Sequence, residues 1–302
     1  MSIEKYLKDL LILQNLSERQ EKDLQAHKKE ITDFLRTEFG DDPVIKYAGS
    51  YEKGTIISDR YDLDIVCYFP SSDTRSLKEI REDVTNKLAE KYILTHKASA
   101  ERILDLKGSE APSDFHIDVV PGRFIEDTKD VFLHVAYGEK ERMQTNLKTH
   151  IDYISNSGCV PIIRLIKLWA YRNDIEIKTF ILELFVIEIL SGSKSKDDLK
   201  KSYLNVLEAF KDKFTSIKLV DPANSNNVVS QLMNESEKLM ISQSAEVTYN
   251  SIKDSEDVNL WQAMFKDSSN DSKSLTASTV AATGYVVGKS FTPPSQWSNN
   301  DK

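Results

Sequence analysis

The stretch that decides the fold is residues 49–70, which read GSYEKGTIISDRYDLDIVCYFP. It begins with a Gly-Ser pair. The missing side chain of Gly49 lets a ligand approach the backbone, and the nearby N–H groups and the Ser50 hydroxyl can hold phosphate oxygens. It ends in an apolar run that Asp62 and Asp64 enter in alternation with aliphatic residues. This order predicts a phosphate-binding turn followed by a strand that carries aspartates. For the turn alone, the alternative is an ordinary strand-to-helix connection.

A second stretch, residues 114–122, reads DFHIDVVPG and places Asp118 between two aliphatic residues. Successive side chains of a strand point to opposite faces, so Asp62 and Asp64 share one face of their strand. Asp118 can do the same on a neighbouring strand. If the two strands pair, three carboxylates converge.

Convergent carboxylates raise one another's pKa and resist joint ionisation. A divalent cation removes that conflict, and Mg2+ combines one or two carboxylates with substrate phosphates and waters. Two such ions could activate an attacking oxygen and stabilise a leaving one. The three aspartates therefore indicate a metal-nucleotide enzyme that uses two Mg2+ ions, with Mn2+ as a possible substitute. For Asp-x-Asp alone the alternative is a strand end or a turn.

The composition favours a small nucleotide over a long nucleic acid. The 302 residues include 40 Lys and Arg against 48 Asp and Glu, a formal charge of -8. Binding a long nucleic acid requires many cations to neutralise phosphates, although local basic patches remain possible. No run resembles an export signal or is long enough for a membrane span. The two cysteines, Cys67 and Cys159, match no metal motif and predict reduced packing residues in a cytoplasmic protein.

Hydrophobic periodicity predicts an α+β protein with a small mixed sheet backed by helices. The elements predicted in the first part are one or two helices over 3–39, a helix over 74–95, strands at 44–48, 102–107, around 118 and at 131–136, and a hairpin connection at 108–113. Those predicted afterwards are helices over 143–156, 161–173, 179–191, 196–214, 228–242 and 246–265, with a turn-rich loop at 221–227.

This change of pattern predicts three parts. A catalytic lobe with the N-terminal helices covers 1–142, a helical lobe covers 143–265, and a flexible tail covers 266–302. The aromatic residues of the tail could dock on the body or on a partner.

The ordered set of motifs resembles the DNA polymerase β-like nucleotidyltransferases, and most of all the bacterial CD-NTases, relatives of cyclic GMP-AMP synthase and the oligoadenylate synthases. The resemblance covers roughly residues 1 to 262. The matching residues are Gly49-Ser50, Thr55, Asp62-x-Asp64, Asp118, Arg164-x-x-Lys167-x-Trp169, Leu182-Glu183-Leu184, and Asp221-Pro222 followed by Asn227-Val228. It implies a polymerase β-like lobe and a helical lobe with the active site in the cleft between them.

The resemblance also implies roles for single residues. Asp62, Asp64 and Asp118 would hold the metal ions, and Asp118 would assist deprotonation of the acceptor hydroxyl. Lys167 and Thr179 would reach the triphosphate. By spacing alone a solvent-facing charge is the favoured interpretation of Lys167, and the family often has serine where Thr179 stands.

Four further residues are interpreted from their surroundings in the sequence. Thr55 is predicted to support the turn or its phosphate contacts, and Lys53 to be a solvated surface charge. Glu183 interrupts an almost wholly apolar helix, which predicts a structural pair because a buried glutamate needs a partner. His116 shares the strand face of Asp118 and could therefore lie near the site, but we expect a structural role for it.

The leading hypothesis is an enzyme that joins nucleoside triphosphates, with ATP expected among them, into a cyclic or short linear oligonucleotide second messenger. The resemblance to CD-NTases further implies bacterial antiphage signalling, and a protein regulator is possible. One alternative is a template-independent nucleotidyltransferase that acts on RNA or protein. Another is an inactive nucleotide-binding scaffold.

Overall fold

A seven-stranded mixed sheet places the two predicted aspartate strands side by side. The computed structural model describes residues 1–104, 115–137, 141–192 and 198–266. Residues 1–266 form one compact unit. The predicted tail, apart from its first residue, and the predicted hairpin at 108–113 lie outside the described residues.

The elements within the described residues follow in chain order. The helices are α1 (Ile3–Leu13), α2 (Glu18–Phe39), α3 (Gly49–Lys53), α4 (Leu77–Ala89), α5 (Leu147–Ser155), α6 (Val160–Arg172), α7 (Thr179–Leu190), α8 (Leu199–Lys213), α9 (Glu235–Ile252) and α10 (Val258–Met264). The strands are β1 (Val44–Tyr47), β2 (Leu63–Phe69), β3 (Leu94–His96), β4 (Glu101–Ile103), β5 (Ile117–Phe124), β6 (Val131–His134), β7 (Arg142–Thr145), β8 (Val220–Asp221) and β9 (Asn224–Val228).

The main sheet has the order β1-β2-β5-β4-β3, and β6 joins it through β5 and β7 through β6. β2 and β5 are parallel, and their register sets Asp64 opposite Asp118. β1 lies antiparallel on the other side of β2. The prediction that the two aspartate strands pair is therefore confirmed.

The two faces of β2 have different surroundings, as the alternating sequence predicts. Leu63, Ile65, Cys67 and Phe69 are buried in one apolar core with side chains of α2 and α4. The other face carries Asp64, followed along the strand by buried Val66 and Tyr68. The apolar face secures the strand, and the opposite face is left to form a site.

A second core joins helices α6 to α10 with α1. Its largest buried side chains are Trp169, Tyr203, Phe185, Phe210 and Trp261. The indole Nε1 of Trp169 donates a hydrogen bond of 3.0 Å to Thr248 in α9. The N-terminal helix α1 packs into this core, so its contacts assign it to the helical part of the chain. The predicted division into lobes at residue 142 remains a prediction.

Two helix predictions are wrong in their boundaries near the sheet. The helix predicted at 143–156 begins later in the structure than predicted, because residues 142–145 form strand β7 and pair with β6. The helix begins only after Asn146, whose side chain accepts a hydrogen bond from the backbone N–H of Thr149. The helix predicted over 74–95 begins after a capping box at Ser76 and ends at Ala89, and residues 94–96 form β3.

The predicted break between helices at 228–242 and 246–265 is also wrong. A capping box between Asn234 and Glu237 starts one continuous helix, α9, which runs to Ile252. The chain is interrupted later, before Asp257 caps α10. Ile241 and Ala245 are buried on one face of α9, so the helix continues through the residues where a break was predicted. Among the described residues, none of the helices combines the length and the apolar character needed to cross a bilayer.

A buried ion pair ties α4 to the sheet. The guanidinium Nε of Arg81 donates to Glu101 Oε1 over 2.7 Å, and its other nitrogens donate to the carbonyls of Lys97 and Ala98. The side chains of Arg81 and Glu101 are only 7% and 1% exposed. Removing one charge would leave the other without its counter-ion in an apolar setting.

We therefore predict that Glu101→Gln lowers the free energy of unfolding by about 3 kcal/mol, because a buried guanidinium loses its compensating charge. Glu90→Gln is the matched control, since Glu90 pairs with Lys87 on the exposed surface. It should change stability by less than about 0.5 kcal/mol. Chemical denaturation of both variants measures the difference, and equal losses would contradict the prediction.

Candidate active site

A cavity of about 530 Å³ lies between the sheet and helices α6 and α7. Its walls contain six of the eight predicted site residues: Gly49, Ser50, Asp62, Asp64, Lys167 and Thr179. Thr55 is fully buried, and Asp118 is largely buried and paired with Arg102. The predicted residues thus gather at one place in the fold, although they come from distant parts of the chain.

The turn at Gly49 lies directly against the carboxylate of Asp64. A Cβ atom added to Gly49 would come within 1.6 Å of Asp64 Oδ2, and Gly49 has a φ of +64°. Only glycine fits both constraints, because other residues rarely adopt such a φ and carry the colliding atom. The backbone N–H of Ala48 also donates to the carbonyl of Asp64 over 2.9 Å. The Gly-Ser turn and the aspartate strand are therefore one structural unit.

The carboxylates affect one another's ionisation. Burial, and then the negative charges of Asp62 and Asp118, raise the pKa of Asp64 well above its usual range. Burial also acts to raise the pKa of Asp62, but the proximity and charge of His116, together with the charges of Lys167 and Arg102, outweigh it and hold that pKa low. His116 Nε2 lies 3.4 Å from Asp62 Oδ2 and 4.0 Å from Asp118 Oδ2. His116 thus lies beside the acid groups, the position that its shared strand face with Asp118 had left open.

The third carboxylate is bound by a guanidinium. Arg102 Nε and Nη2 donate to the two oxygens of Asp118, each over 2.8 Å. Within the part of the chain that the structure describes, no three His, Cys, Asp or Glu side chains stand in an arrangement ready to hold a metal ion. Sequence reasoning missed Arg102. The only signal for it was a cation in the strand-like segment that precedes Asp118.

The buried glutamate of α7 reaches across the cleft to the Gly-Ser turn. Glu183 is completely buried, and its oxygens accept from Lys53 Nζ at 2.9 Å and from Thr55 Oγ1 at 2.6 Å. The predicted structural pair for Glu183 is confirmed. The prediction of a solvated Lys53 is wrong, because its side chain is only 11% exposed and supplies the charge that the buried glutamate needs.

Lys167 lines the cavity and does not project into open solvent. Its Nζ donates to the backbone carbonyl of Thr55 over 2.9 Å. Burial lowers the pKa of Lys167, and the charges of Glu183 and Asp62 oppose that effect. One turn earlier, Arg164 donates hydrogen bonds to the backbone carbonyls of Ile56 and Gln14 and so holds these two segments in place. Of the two cations, Lys167 is the one that lines the cavity.

A polar cluster stands at the edge of the cavity near α7. His150 Nε2 lies 2.6 Å from Asp221 Oδ1, and the His150 ring packs on Phe180 with centroids 4.7 Å apart. Asp221 also accepts from Asn227 Nδ2 over 3.0 Å. The segment 221–227 therefore lies close to the cavity wall through His150. The prediction of a turn-rich loop there is wrong for residues 224–227, which belong to strand β9 and pair with β8. His150 was missed, since an isolated histidine in the sequence gave no sign of this contact.

Comparison with known proteins adds a family model and several folds. Residues 1–157 match the model of the SMODS family, the Second Messenger Oligonucleotide or Dinucleotide Synthetase domain. No curated protein matches the chain.

Three solved structures share the fold at low sequence identity. CdnC of Escherichia coli MS115-1 with ATP has a TM-score of 0.70 and 18% identity, covering 89% of this chain and 98% of that one; CdnC is also known in a complex with HORMA-deltaN. CdnG of Bradyrhizobium diazoefficiens with GTP has a TM-score of 0.70 and 11% identity, covering 86% and 94%. The cyclic AMP-GMP synthase DncV of Vibrio cholerae, with nonhydrolyzable GTP, has a TM-score of 0.62 and 18% identity, covering 88% and 83%.

The contact between Gly49 and Asp64 predicts a difference between two glycine substitutions. Gly49→Ala should lower the free energy of unfolding by about 2 kcal/mol more than Gly54→Ala, because its new Cβ collides with a carboxylate. Gly54 is the matched control: its φ of +71° gives similar backbone strain, and nothing lies within 4 Å of an added Cβ. Denaturation of both variants tests this, and indistinguishable losses would refute the packing argument.

The Lys53–Glu183 pair predicts strong energetic coupling across the cleft. Lys53→Met should cost about 3 kcal/mol, because it strands a buried carboxylate. Combining it with Glu183→Gln should cost less than the sum of the two single changes, by roughly 1–3 kcal/mol. A double-mutant cycle of unfolding free energies measures this coupling.

The matched control is the exposed pair of Lys148 and Asp152 on α5. The cycle of Lys148→Met with Asp152→Asn should show a coupling below about 0.5 kcal/mol. If the coupling energy of Lys53 and Glu183 were no larger than that of the surface pair, the buried pair would not stabilise the contact between α7 and the Gly-Ser turn.

Proposed function

The chain belongs to the second messenger oligonucleotide or dinucleotide synthetase family, a family of nucleotidyltransferases, and on this premise we propose that it joins nucleoside triphosphates into a cyclic or short linear oligonucleotide with release of pyrophosphate. One observation carries the proposal. The Gly-Ser turn touches Asp64, and Asp64 stands opposite Asp118 in the sheet, on the wall of a cavity large enough for nucleotides. Such a cavity has the common size of a ligand site.

The donor set of this site fits Mg2+. Asp62, Asp64 and Asp118 supply only oxygen atoms, which Mg2+ prefers. The raised pKa of Asp64 reflects burial and like charges, a conflict that a cation would relieve. We propose that these three aspartates hold two Mg2+ ions, with Mn2+ as a substitute. When bound, the ions would neutralise charge on the attacking and leaving oxygens.

The remaining residues would bind and position the triphosphate. Gly49 and Ser50 line the cavity beside Asp64 and would contact phosphate oxygens, while buried Thr55 supports this turn through Glu183. Lys167 and Thr179 face the same cavity from the helices and would reach the phosphates from the other side. Phosphoryl transfer depends chiefly on such positioning and charge neutralisation.

The proposed reaction is an in-line displacement. The acceptor hydroxyl oxygen forms a bond to the α-phosphorus, its proton passes to a carboxylate, for which Asp118 is the candidate, and the bond to the leaving pyrophosphate breaks. His116 Nε2 lies 3.4 Å from Asp62 and 4.0 Å from Asp118, so a protonated His116 would help to orient these carboxylates by its charge. The chain's own residues therefore provide the proton acceptor, the orientation of the acid groups and the phosphate contacts.

The wider role is proposed from the family and from the named relatives. CdnC was solved with ATP and CdnG with GTP, which supports purine triphosphates, ATP among them, as substrates. The HORMA-deltaN complex of CdnC supports a protein regulator here too. We propose that the product is a signal in bacterial antiphage defence and that the enzyme works in the cytoplasm, where its two free buried cysteines would remain reduced.

The testing experiment supplies labelled ribonucleoside triphosphates with Mg2+ and separates the products by chromatography and mass spectrometry. We expect a small oligonucleotide and released pyrophosphate. Asp62→Asn with Asp64→Asn should reduce product roughly 1,000-fold or more, because metal charge stabilisation contributes several kcal/mol to the transition state. The matched double control is Asp41→Asn with Asp42→Asn, an exposed pair before β1.

Three results would contradict the proposal. Turnover that survives in the Asp62 and Asp64 double variant would remove the site assignment. Label that appears in added RNA or protein would favour a transferase that acts on macromolecules. Absence of pyrophosphate release by the unaltered chain under every nucleotide mixture would favour a nucleotide-binding scaffold.

A further inference from the structure

The carboxylate of Asp118 is engaged by a guanidinium of the same sheet. Arg102 Nε and Nη2 reach its two oxygens at 2.8 Å each, the parallel two-bond geometry of a strong guanidinium–carboxylate pair. Both side chains are mostly buried, with 25% of Arg102 and 15% of Asp118 exposed. Screening by solvent is therefore weaker here than for a surface pair.

The sheet itself builds this contact. β4 pairs antiparallel with β5, and the register sets Arg102 directly opposite Asp118. Directly opposite residues point to the same face of a sheet and lie within side-chain reach. The pair is therefore a product of the strand register, and it does not depend on a mobile loop.

The guanidinium bonds to both oxygens that a metal ion would use, and its positive charge opposes a cation there. A carboxylate has two oxygens with about four lone-pair sites, and a two-bond arginine takes one site on each oxygen. Two lysines that line the cavity have partners elsewhere: Lys53 binds Glu183, and Lys167 binds the carbonyl of Thr55. His116 lies farther from Asp118 than the guanidinium does, with Nε2 4.0 Å from Oδ2. Arg102 is thus the cation that the structure sets on Asp118 itself.

We propose that Arg102 is a positioning residue that holds Asp118 away from the metal site until a divalent cation displaces its guanidinium. This inference rests on the proposed function, because it concerns the third aspartate of that site. Cation binding then competes with the Arg102–Asp118 pair for the same carboxylate, so Arg102 weakens the intrinsic affinity for metal. Site assembly is favoured when the cation arrives with a triphosphate, whose phosphates supply further ligands.

The experiment measures Mn2+ binding to the full chain without nucleotide, by electron paramagnetic resonance of the free ion. Arg102→Gln should tighten binding roughly five- to twenty-fold, because the competing charged pair is gone. Arg102→Lys keeps the charge but loses the two-bond fork, so it should tighten binding by a smaller factor. The gain should vanish when Arg102→Gln is combined with Asp118→Asn.

Arg75→Gln is the matched control. Arg75 also makes a two-bond pair with a carboxylate, that of Asp73, but neither residue lines the cavity. Its loss removes the same charge from the same part of the chain and should leave Mn2+ affinity unchanged. Thermal unfolding shows whether each variant is folded, and Arg102→Lys keeps the test decisive if Arg102→Gln does not fold.

The outcomes separate this inference from the proposed function. Mn2+ binding that depends on Asp62 and Asp64 but is unchanged or weakened by both Arg102 substitutions would overturn the role of Arg102 alone. The role of Arg102 would also be overturned if Arg75→Gln tightened Mn2+ binding as much as Arg102→Gln does. If substitution of Asp62, Asp64 and Asp118 left Mn2+ binding unchanged, both the proposed metal site and this inference would be overturned.

Discussion

The parallel pairing of β2 with β5 is the constraint on which the rest of the site depends. It sets Asp64 opposite Asp118 and brings Asp62, one residue before β2, to the same edge of the sheet. Leu63 and Ile65 on the alternate positions are buried against α2 and α4, so a slip of one residue would drive carboxylates into that core. The energy that fixes the acid groups therefore comes from apolar burial on the opposite face.

A buried charge joins the two sides of the cleft. Glu183 stands on a helix that is apolar nearly all round, and it obtains its partners from the segment that follows the Gly-Ser turn. Lys167 binds the carbonyl of Thr55 in that same segment. An unpaired buried carboxylate is costly, so these contacts oppose separation of the helices from the turn. Lys53 and Lys167, which line the cleft proposed to receive the nucleotide, therefore also hold its two sides together.

The acid groups present a problem of like charge that the chain partly resolves by itself. His116 lies beside Asp62 and Asp118, and Arg102 covers the oxygens of Asp118. These contacts let three aspartates share one edge of a sheet within a partly buried site. They also mean that the site is not a preformed cage. Under the proposed function, a substrate-borne cation and the protein's own cations would compete for the same carboxylate, which would link cation binding to nucleotide binding.

Some of this could be predicted from the sequence because the cause is local. The alternation of Asp62 and Asp64 with aliphatic residues specified a strand with one polar face, and an isolated glutamate at 183 in an apolar helix required a partner. Other features depend on segments far apart in the chain. Lys53 is 130 residues from Glu183, residues 142–145 become a strand only because β6 lies beside them, and Arg102 meets Asp118 through strand register. Local periodicity determined which groups needed partners, and tertiary packing decided which partners they found, because contacts between distant segments are set by how the elements pack.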